Sequence, residues 1–179
     1  GTDLKCEALE RHKRIQVGEV DVEVLAIPTP GHTPGSTSFL INNRFLMSGD
    51  TIFVGGLGRP DLGGKAKEWA QDLYETVFAV LKNLPEDCLI LPAHYSSIKE
   101  MNEQGIVGAE FGVIRANNEM MRNADRESFT AQVAAAVSTE KPPNFEDILA
   151  INRGQLKVDA EKMVELEIGP NRCAVHHQG

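Results

Sequence analysis

The chain has 179 residues, 41% of them hydrophobic and 25% charged, a composition typical of a folded globular protein, and its length predicts a single domain over residues 1–179. The formal net charge of −8 argues against nucleic acid or an anionic membrane surface as a partner, and no apolar run approaches the length of a membrane span. The three cysteines form no Cys-x-x-Cys pair, so a disulfide framework is not expected and a reducing cytoplasm is the predicted compartment.

The first half of the chain is patterned as strands. Apolar and polar residues alternate in several short segments, as they do in strands with one buried face. Strands are predicted over 15–17, 20–27, 37–41 and 45–47. Asn42-Asn43 separates the last two and predicts a hairpin turn. The stretch 28–36, rich in proline and glycine, and the glycine-rich stretch Gly55–Gly64 predict loops.

From Lys65 onward the apolar spacing changes to that of helices. Helices are predicted over 65–84, 109–121, 126–137, 145–151 and 160–166. Pro85 is expected to end the first of them, and Asp125 is expected to cap the third. A short strand, Cys88–Leu91, interrupts this half, and Cys88 is expected to be a core residue rather than a nucleophile. Strands first and helices afterwards predict an α/β fold with a layered sheet.

Three side chains that can bind metal lie where predicted strands open into loops. His32 lies in the loop after the second strand, Asp50 ends the fourth strand, and His94 follows the strand Cys88–Leu91. Strand ends hold functional groups rigidly while the adjoining loops leave room for a ligand. Two imidazoles and a carboxylate suit Zn²⁺ or Fe²⁺. The alternative at this point is that the histidines are solvated or bond backbone carbonyls, and that the aspartate is a turn residue.

Other candidate motifs do not suggest a different site. His12 lies in a charged stretch and is expected to be solvated, and His176-His177 are expected to form a chain-terminal tail. The sequence Gly-Gly-Leu-Gly at 55–58 lacks the lysine and hydroxyl residue of a phosphate-binding loop. The chain also contains no Gly-x-Ser-x-Gly motif, so a serine hydrolase is not indicated.

Three motifs, in this order and spacing, resemble those of the metallo-β-lactamase superfamily. They are Thr29-Pro30-Gly31-His32-Thr33-Pro34-Gly35-Ser36, Ser48-Gly49-Asp50 and Leu91-Pro92-Ala93-His94. The run FVGGLGRPDL at 53–62 resembles the persulfide dioxygenases, which are relatives of glyoxalase II (hydroxyacylglutathione hydrolase). The resemblance implies an α/β fold, namely the C-terminal half of an αββα sandwich followed by a helical C-terminal part.

The resemblance also implies an incomplete metal site. The His-x-His-x-Asp-His motif that precedes these three motifs in the family is absent from this sequence. Two protein ligands hold a metal less tightly than three, so weak metal occupancy is expected. Half of a sandwich leaves one sheet face without its partner, and such an apolar patch predicts a homodimer in which two copies cover each other.

In the persulfide dioxygenases, Fe²⁺ is held by a histidine of the absent motif, by a second histidine that matches His32, and by an aspartate that matches Asp50. This arrangement leaves three positions for a thiolate and O₂. The implied reaction oxidises glutathione persulfide to sulfite, and the histidine that matches His94 is left without metal. In the two-zinc hydrolases, by contrast, Asp50 would bridge two Zn²⁺ ions, His94 would bind the second, and a thioester would be hydrolysed.

The resemblance further implies two substrate-binding residues. Arg59 is the candidate for the glutathione carboxylates, because a guanidinium grips a carboxylate through two hydrogen bonds. An ion pair with Asp61 is the alternative for this arginine. Tyr95 is the candidate for the peptide part of glutathione. A third reading, after the dioxygenase and the hydrolase, is a scaffold module without catalytic activity.

Overall fold

The computed structural model describes Lys5 and residues 14–122, 125–136, 144–168 and 174–175. The backbone forms two compact units, one of residues 10–137 with 173–179 and the other of residues 1–9 with 138–172. The single domain over 1–179 stays a prediction. Within the described ranges, no helix is both long and apolar enough to cross a membrane.

The larger unit contains one large mixed sheet and one separate pair of short strands. Its strands are β1 (Arg14–Val17), β2 (Val20–Pro28), β3 (Thr37–Ile41), β4 (Phe45–Gly49), β5 (Leu57–Gly58), β6 (Leu89–Pro92), β7 (Ala109–Glu110) and β8 (Ala174–Val175). Six of them form a sheet in the order β1-β2-β3-β4-β6-β7, while β5 and β8 pair with each other. All neighbours in the large sheet are antiparallel except β4 and β6, which are parallel.

Helices account for most of the described chain after Lys65. They are α1 (Ala66–Glu75), a π-helical turn (Thr76–Val80), a 3₁₀ turn (Ile98–Glu100), α2 (Phe111–Asn117), α3 (Glu119–Arg122), α4 (Arg126–Ala135), α5 (Phe145–Asn152) and α6 (Ala160–Ile168). α1 and the π-helical turn form the crossover that parallel strands such as β4 and β6 require. α5 and α6 belong to the smaller unit, where the side chain of Asp159 accepts a hydrogen bond from the Lys162 amide, 2.8 Å away.

The predicted α/β fold and its hairpins are confirmed. Asn42 and Asn43 both adopt positive φ, at 49° and 54°, as a tight hairpin turn between twisted strands requires. Asparagine tolerates this conformation better than most residues do. The predicted helix cap at Asp125 is also confirmed, because its carboxylate accepts a hydrogen bond from the Ser128 amide at 2.7 Å.

The prediction of one regular helix over 65–84 was wrong at its C-terminal end. The α-helix ends at Glu75 and passes into the π-helical turn, in which the Leu81 amide donates to the Thr76 carbonyl five residues earlier. The chain leaves helical geometry at Leu81, so Pro85 lies beyond the helix rather than ending it.

The predicted helix over 109–121 is also wrong, since it is three separate elements. Its first two residues form β7, and α2 and α3 are separated by Asn118, whose backbone is extended. The Asn118 side-chain oxygen accepts a hydrogen bond from the Met120 amide at 3.0 Å, which caps the new helix. The predicted loop Gly55–Gly64 likewise contains the short strand β5.

One face of the large sheet packs against the helices of the same unit. Along it, Leu40 lies opposite Leu46, and Leu46 lies opposite Ile90. These three residues belong to the main core cluster together with residues of α1, α2 and α4, including Leu73, Ile114, Phe129 and Val133. Cys88 is fully buried in this core, and burial, aided by the Asp87 carboxylate, raises the pKa of its thiol to about 11. The prediction that Cys88 is a core residue is confirmed.

The opposite face of the same sheet, here called the second face, is also apolar. Across β2, β3, β4 and β6 it carries two rows of paired residues. The rows are Val24-Ile41-Phe45-Leu89 and Ala26-Phe39-Met47-Leu91. Met47, in the middle of the second row, is 50% exposed.

Candidate metal centre

The three residues predicted for a metal site meet at one edge of the large sheet. β2 and β4 run in the same direction because each is antiparallel to β3, and β6 is parallel to β4. The loops that carry His32, Asp50 and His94 follow β2, β4 and β6, so all three leave the sheet at the same edge. The Ala93 amide donates to the Gly49 carbonyl at 3.0 Å and ties two of these strand ends together.

Asp50 lies between the two histidines. Its Oδ1 is 2.5 Å from His94 Nδ1, a short hydrogen bond in which the ring nitrogen donates to the carboxylate. Its Oδ2 is 3.6 Å from His32 Nε2, which is too long for a hydrogen bond. The two carboxylate oxygens therefore face different kinds of atom. Oδ1 faces the hydrogen-bond donor Nδ1 of His94, whereas Oδ2 faces Nε2 of His32, which is too far away for a hydrogen bond.

The ring of His32 is oriented from behind by the backbone. His32 Nδ1 lies 2.9 Å from the Arg59 carbonyl oxygen, so Nδ1 carries the proton and Nε2 presents its lone pair towards Asp50. The pKa of His32 is lowered because burial disfavours the charged ring, and this outweighs the attraction of Asp50 and the hydrogen bond to Arg59. A neutral imidazole whose other nitrogen donates to a carbonyl is the form in which histidine binds metals.

Buried hydroxyl groups hold the His32 loop against the Asp50 loop. Thr29 Oγ1 lies 2.9 Å from Ser38 Oγ and 3.1 Å from Thr51 Oγ1, and all three residues are buried. Ser48 Oγ donates to the Ile52 carbonyl at 2.7 Å on the far side of Asp50. These hydrogen bonds fix the ends of β2, β3 and β4 relative to one another.

The His32 loop also packs against the crossover helix. Thr76 Oγ1 donates to the Pro30 carbonyl at 2.6 Å. Gly31 has a φ of 146°, and a Cβ added there would lie 2.6 Å from Cβ of Leu73 in α1. Only glycine permits both this conformation and this approach. The helix therefore supports the loop that carries His32.

Gly58 is wedged between the two proposed ligands. A Cβ at this position would lie 2.0 Å from the Asp50 carbonyl oxygen and 2.8 Å from Cβ of His32. The Gly58 amide donates to the Thr51 carbonyl at 3.1 Å, which fixes the approach of β5 to this edge. The glycine-rich segment Gly55–Gly64 thus packs through Gly58 against the backbone of Asp50 and against His32.

The two predicted substrate residues differ in exposure. Arg59 is 2% exposed, and its Nε and Nη2 donate to the two carboxylate oxygens of Asp61 at 2.7 and 2.5 Å. This is the ion pair that the sequence left open as the alternative for Arg59. Tyr95 follows His94 and is 50% exposed. Substrate binding by either residue stays a prediction.

Several contacts at this edge were not predicted from the sequence. They involve Thr29, Ser38, Thr51, Thr76 and the Arg59 carbonyl. Two of the threonines lie near the predicted ligands in sequence, Thr29 three residues before His32 and Thr51 directly after Asp50, and this nearness is the signal that could have indicated them. Thr76 lies far along the chain from all three motifs, so no such signal marks it. A backbone carbonyl leaves no such signal in a sequence.

The described residues contain no group of three or more His, Cys, Asp or Glu side chains arranged to hold a metal ion. Two of the three predicted ligands, His32 and Asp50, are nevertheless spaced as two ligands of a single metal ion would be. Ligand atoms about 2.0–2.2 Å from a common ion lie roughly 3 to 3.6 Å apart, and His32 Nε2 and Asp50 Oδ2 are separated by 3.6 Å. His94 directs its Nδ1 at the carboxylate instead, so it holds Asp50 in place.

Residues 7–94 match the family model of the metallo-β-lactamase superfamily, and this segment contains His32, Asp50 and His94. The chain carries a metallo-β-lactamase superfamily domain. The family predicted from the three motifs is thereby confirmed.

Two curated proteins and one crystal structure illustrate how the metallo-β-lactamase domain relates to known proteins. Probable metallo-hydrolase YqgX of Bacillus subtilis is 36% identical over 97 residues, which cover 54% of this chain and 44% of that protein. The human mitochondrial persulfide dioxygenase ETHE1 is 37% identical over 87 residues, which cover 48% of this chain and 32% of that protein. The match therefore spans less than half of each relative.

A crystal structure of a metallo-beta-lactamase from Staphylococcus aureus superimposes with a TM-score of 0.73 at 27% identity. The superposition covers 86% of this chain and 46% of that one. The mixed α/β fold is thus that of the metallo-β-lactamase family. That the chain forms one half of an αββα sandwich stays a prediction.

Proposed function

We propose that this metallo-β-lactamase domain belongs to a non-haem iron persulfide dioxygenase that oxidises glutathione persulfide to sulfite. The observation that carries the proposal is the division of the Asp50 carboxylate, with Oδ2 beside His32 Nε2 and Oδ1 hydrogen-bonded to His94. A carboxylate that bridges two metals with one oxygen on each has no oxygen left to accept a histidine proton. One oxygen already bound to a histidine proton favours a single metal ion.

Each residue at the candidate site has a defined role in the proposed function. His32 and Asp50 hold Fe²⁺, and His94 holds the carboxylate through its Nδ1 proton. The Arg59 carbonyl keeps the Nε2 lone pair of His32 facing the metal position. Tyr95, half exposed beside His94, is the side chain available to hydrogen-bond the peptide part of the substrate. When bound, the iron supplies open positions for a thiolate sulfur and for dioxygen.

The proposed reaction consumes one persulfide, one dioxygen and one water, and yields one glutathione, one sulfite and two protons. The bond between the two sulfur atoms breaks, the terminal sulfur is oxidised and dioxygen is reduced. No further reductant is required. The similarity to ETHE1, whose name states that it is a persulfide dioxygenase, supports the assignment.

The test uses the natural protein with any segment that its gene encodes upstream of Gly1. After anaerobic loading with Fe²⁺, we expect one iron per chain, and oxygen uptake with sulfite release when glutathione persulfide is added. Asp50→Asn should abolish both iron retention and oxygen uptake, whereas Asp87→Asn, at an exposed position away from the site, should change neither. Iron bound without oxygen uptake would reject the dioxygenase.

The second candidate is a two-zinc thioester hydrolase like glyoxalase II. The similarity to a probable metallo-hydrolase favours it, since the same three residues serve both chemistries. It predicts two zinc ions per full-length chain and hydrolysis of S-lactoylglutathione without oxygen. His94→Gln distinguishes the two, because it should remove one of two metals from a hydrolase and leave the single iron of a dioxygenase in place. Neither activity in the full protein would favour the scaffold module.

A further inference from the structure

Arg59 and Asp61 form an ion pair that is almost completely enclosed. The side chains of Arg59 and Asp61 are 3% and 16% exposed, and two parallel hydrogen bonds join the guanidinium to the carboxylate. A charge pair in such surroundings must be well bonded, because desolvation of both groups is costly. The paired fork geometry fixes the relative orientation of the two residues more tightly than a single contact can.

The backbone of this turn is in direct contact with the metal-binding edge. Arg59 offers its carbonyl oxygen to His32 Nδ1 at 2.9 Å, and the preceding residue, Gly58, lies against both His32 and Asp50. One residue thus has its side chain tied to Asp61 and its carbonyl tied to the ring of His32. Rotation of the peptide that follows Arg59 would remove the hydrogen bond from His32.

We propose that Arg59 is a positioning residue for His32: its ion pair with Asp61 fixes the carbonyl that keeps the proton on Nδ1 and the lone pair of Nε2 directed at Asp50. The inference rests on the proposed function only in assigning a metal to Nε2, since the orientation of the ring is a property of the chain itself. It also gives Arg59 a role other than binding the carboxylates of glutathione.

The first measurement is the ring tautomer of His32 in the metal-free chain, read from ¹⁵N–¹H correlations at a pH where the ring is neutral. The wild-type ring should carry its proton on Nδ1. In Arg59→Lys, which keeps the charge but loses the fork, the population should shift towards the form protonated on Nε2. The affinity for Fe²⁺ should fall about tenfold, as when the group that orients a histidine ligand is lost.

Arg115→Lys is the matched control. Arg115 also forms an ion pair, with Glu86 on the surface. Weakening this surface ion pair by Arg115→Lys should leave the His32 signals unchanged. A second variant, Arg59→Met combined with Asp61→Leu, leaves no charge unpaired and should shift the tautomer in the same direction as Arg59→Lys. Circular dichroism verifies that each variant is folded.

Three results would overturn the inference. They are a wild-type ring protonated on Nε2, folded Arg59 variants that keep the wild-type tautomer, and a double variant that fails to fold. The second result is also what a purely substrate-binding arginine predicts. Because the tautomer is measured without metal or substrate, it can respond as expected even if the full protein shows no oxygen uptake, so the two proposals fail separately.

Discussion

At the scale of single residues, Gly58 shows how closely the backbone approaches the site. An alanine Cβ at this position would lie 2.0 Å from one backbone oxygen and 2.8 Å from His32, both shorter than real contacts. Relief requires movement of the chain, because backbone atoms cannot rotate away as a flexible side chain can. We expect Gly58→Ala to reduce the free energy of unfolding by about 1–3 kcal/mol, as overpacking of interiors does.

Urea unfolding of Gly58→Ala against Gly35→Ala measures this effect. Gly35 lies in the loop that carries His32, but a Cβ there would meet nothing within 4 Å. Its substitution should therefore change the free energy of unfolding by no more than about 0.5 kcal/mol. Equal losses in the two variants would contradict the close approach at Gly58.

The buried ring of His32 makes stability depend on pH in a defined direction. Burial lowers its pKa in the folded state below 6.5, whereas in the unfolded chain the ring titrates near that ordinary value. The stabilisation that the neutral His32 ring contributes to the free energy of unfolding is therefore complete above pH 6.5. It is lost as the pH falls from 6.5 towards the lower pKa that His32 has in the folded state.

The measurement is urea unfolding at pH 7.5 and at pH 5.5 with a chelator present, so that no metal contributes. The wild-type chain should lose more stability between these values than His32→Asn, which keeps a donor for the Arg59 carbonyl but cannot be protonated. An NMR titration of His32 with a midpoint above 6.5 would be inconsistent with the expected direction.

At the scale of elements, the buried hydroxyl groups couple the ends of three strands. Thr51→Val keeps the shape of the side chain but removes one partner of Thr29, whose hydroxyl then has one hydrogen bond fewer. We expect a loss of about 1–2 kcal/mol in the free energy of unfolding, measured by urea titration. Thr51→Ser, which retains the hydroxyl, should recover most of this loss.

Thr130 provides the matched control for this prediction. It is 5% exposed in α4, and its hydroxyl has no hydrogen-bond partner within the residues that the structure describes. Thr130→Val should therefore be neutral or stabilising, since it removes a buried polar group that lacks a partner. A similar loss at both positions would assign the cost at Thr51 to packing rather than to hydrogen bonding.

Elements were predictable from the sequence where a local pattern determines them. The hairpin at Asn42-Asn43 follows from residues that tolerate positive φ between alternating segments, and α4 follows from an apolar face after the cap at Asp125. The interruption at Asn118 was not predicted, because apolar residues continue across it at helical spacing and only its side-chain hydrogen bond starts a new helix. β5 and β8 are two residues each, too short to show any period.

The candidate site was predictable to a similar degree. Strand ends brought His32, Asp50 and His94 together as the sequence predicted, since sheet topology carries them to one edge. The different contacts that the two histidines make with Asp50 were not predictable, because they depend on which nitrogen of each ring faces the carboxylate. The role of the Arg59 carbonyl was equally hidden, as every residue possesses a carbonyl group.

At the scale of the whole molecule, the second face underlies the predicted homodimer. Its two rows contain eight apolar residues and no charge, and Met47 at its centre is half exposed. Sedimentation velocity at micromolar concentration should show self-association of the wild-type chain. Met47→Glu should weaken it at least tenfold, because it would place a charge in an apolar interface.

Val113→Glu is the control for this experiment. Val113 is exposed to nearly the same extent, 48%, but lies on α2 and not on the second face. It should leave the sedimentation profile unchanged. A wild-type chain that sediments as a monomer would reject the homodimer, and equal effects of the two substitutions would place the interface elsewhere.

The parallel pairing of β4 with β6 has a consequence for the order in which the chain folds. His32 and Asp50 are joined through consecutive antiparallel strands, whose contacts are local and close quickly. His94 can reach Asp50 only after the crossover through α1 has closed a loop of 44 residues. Pulse-labelling hydrogen exchange should therefore find the β2–β3–β4 amides protected earlier than those of β6, so that the carboxylate meets one histidine early in folding and the other late.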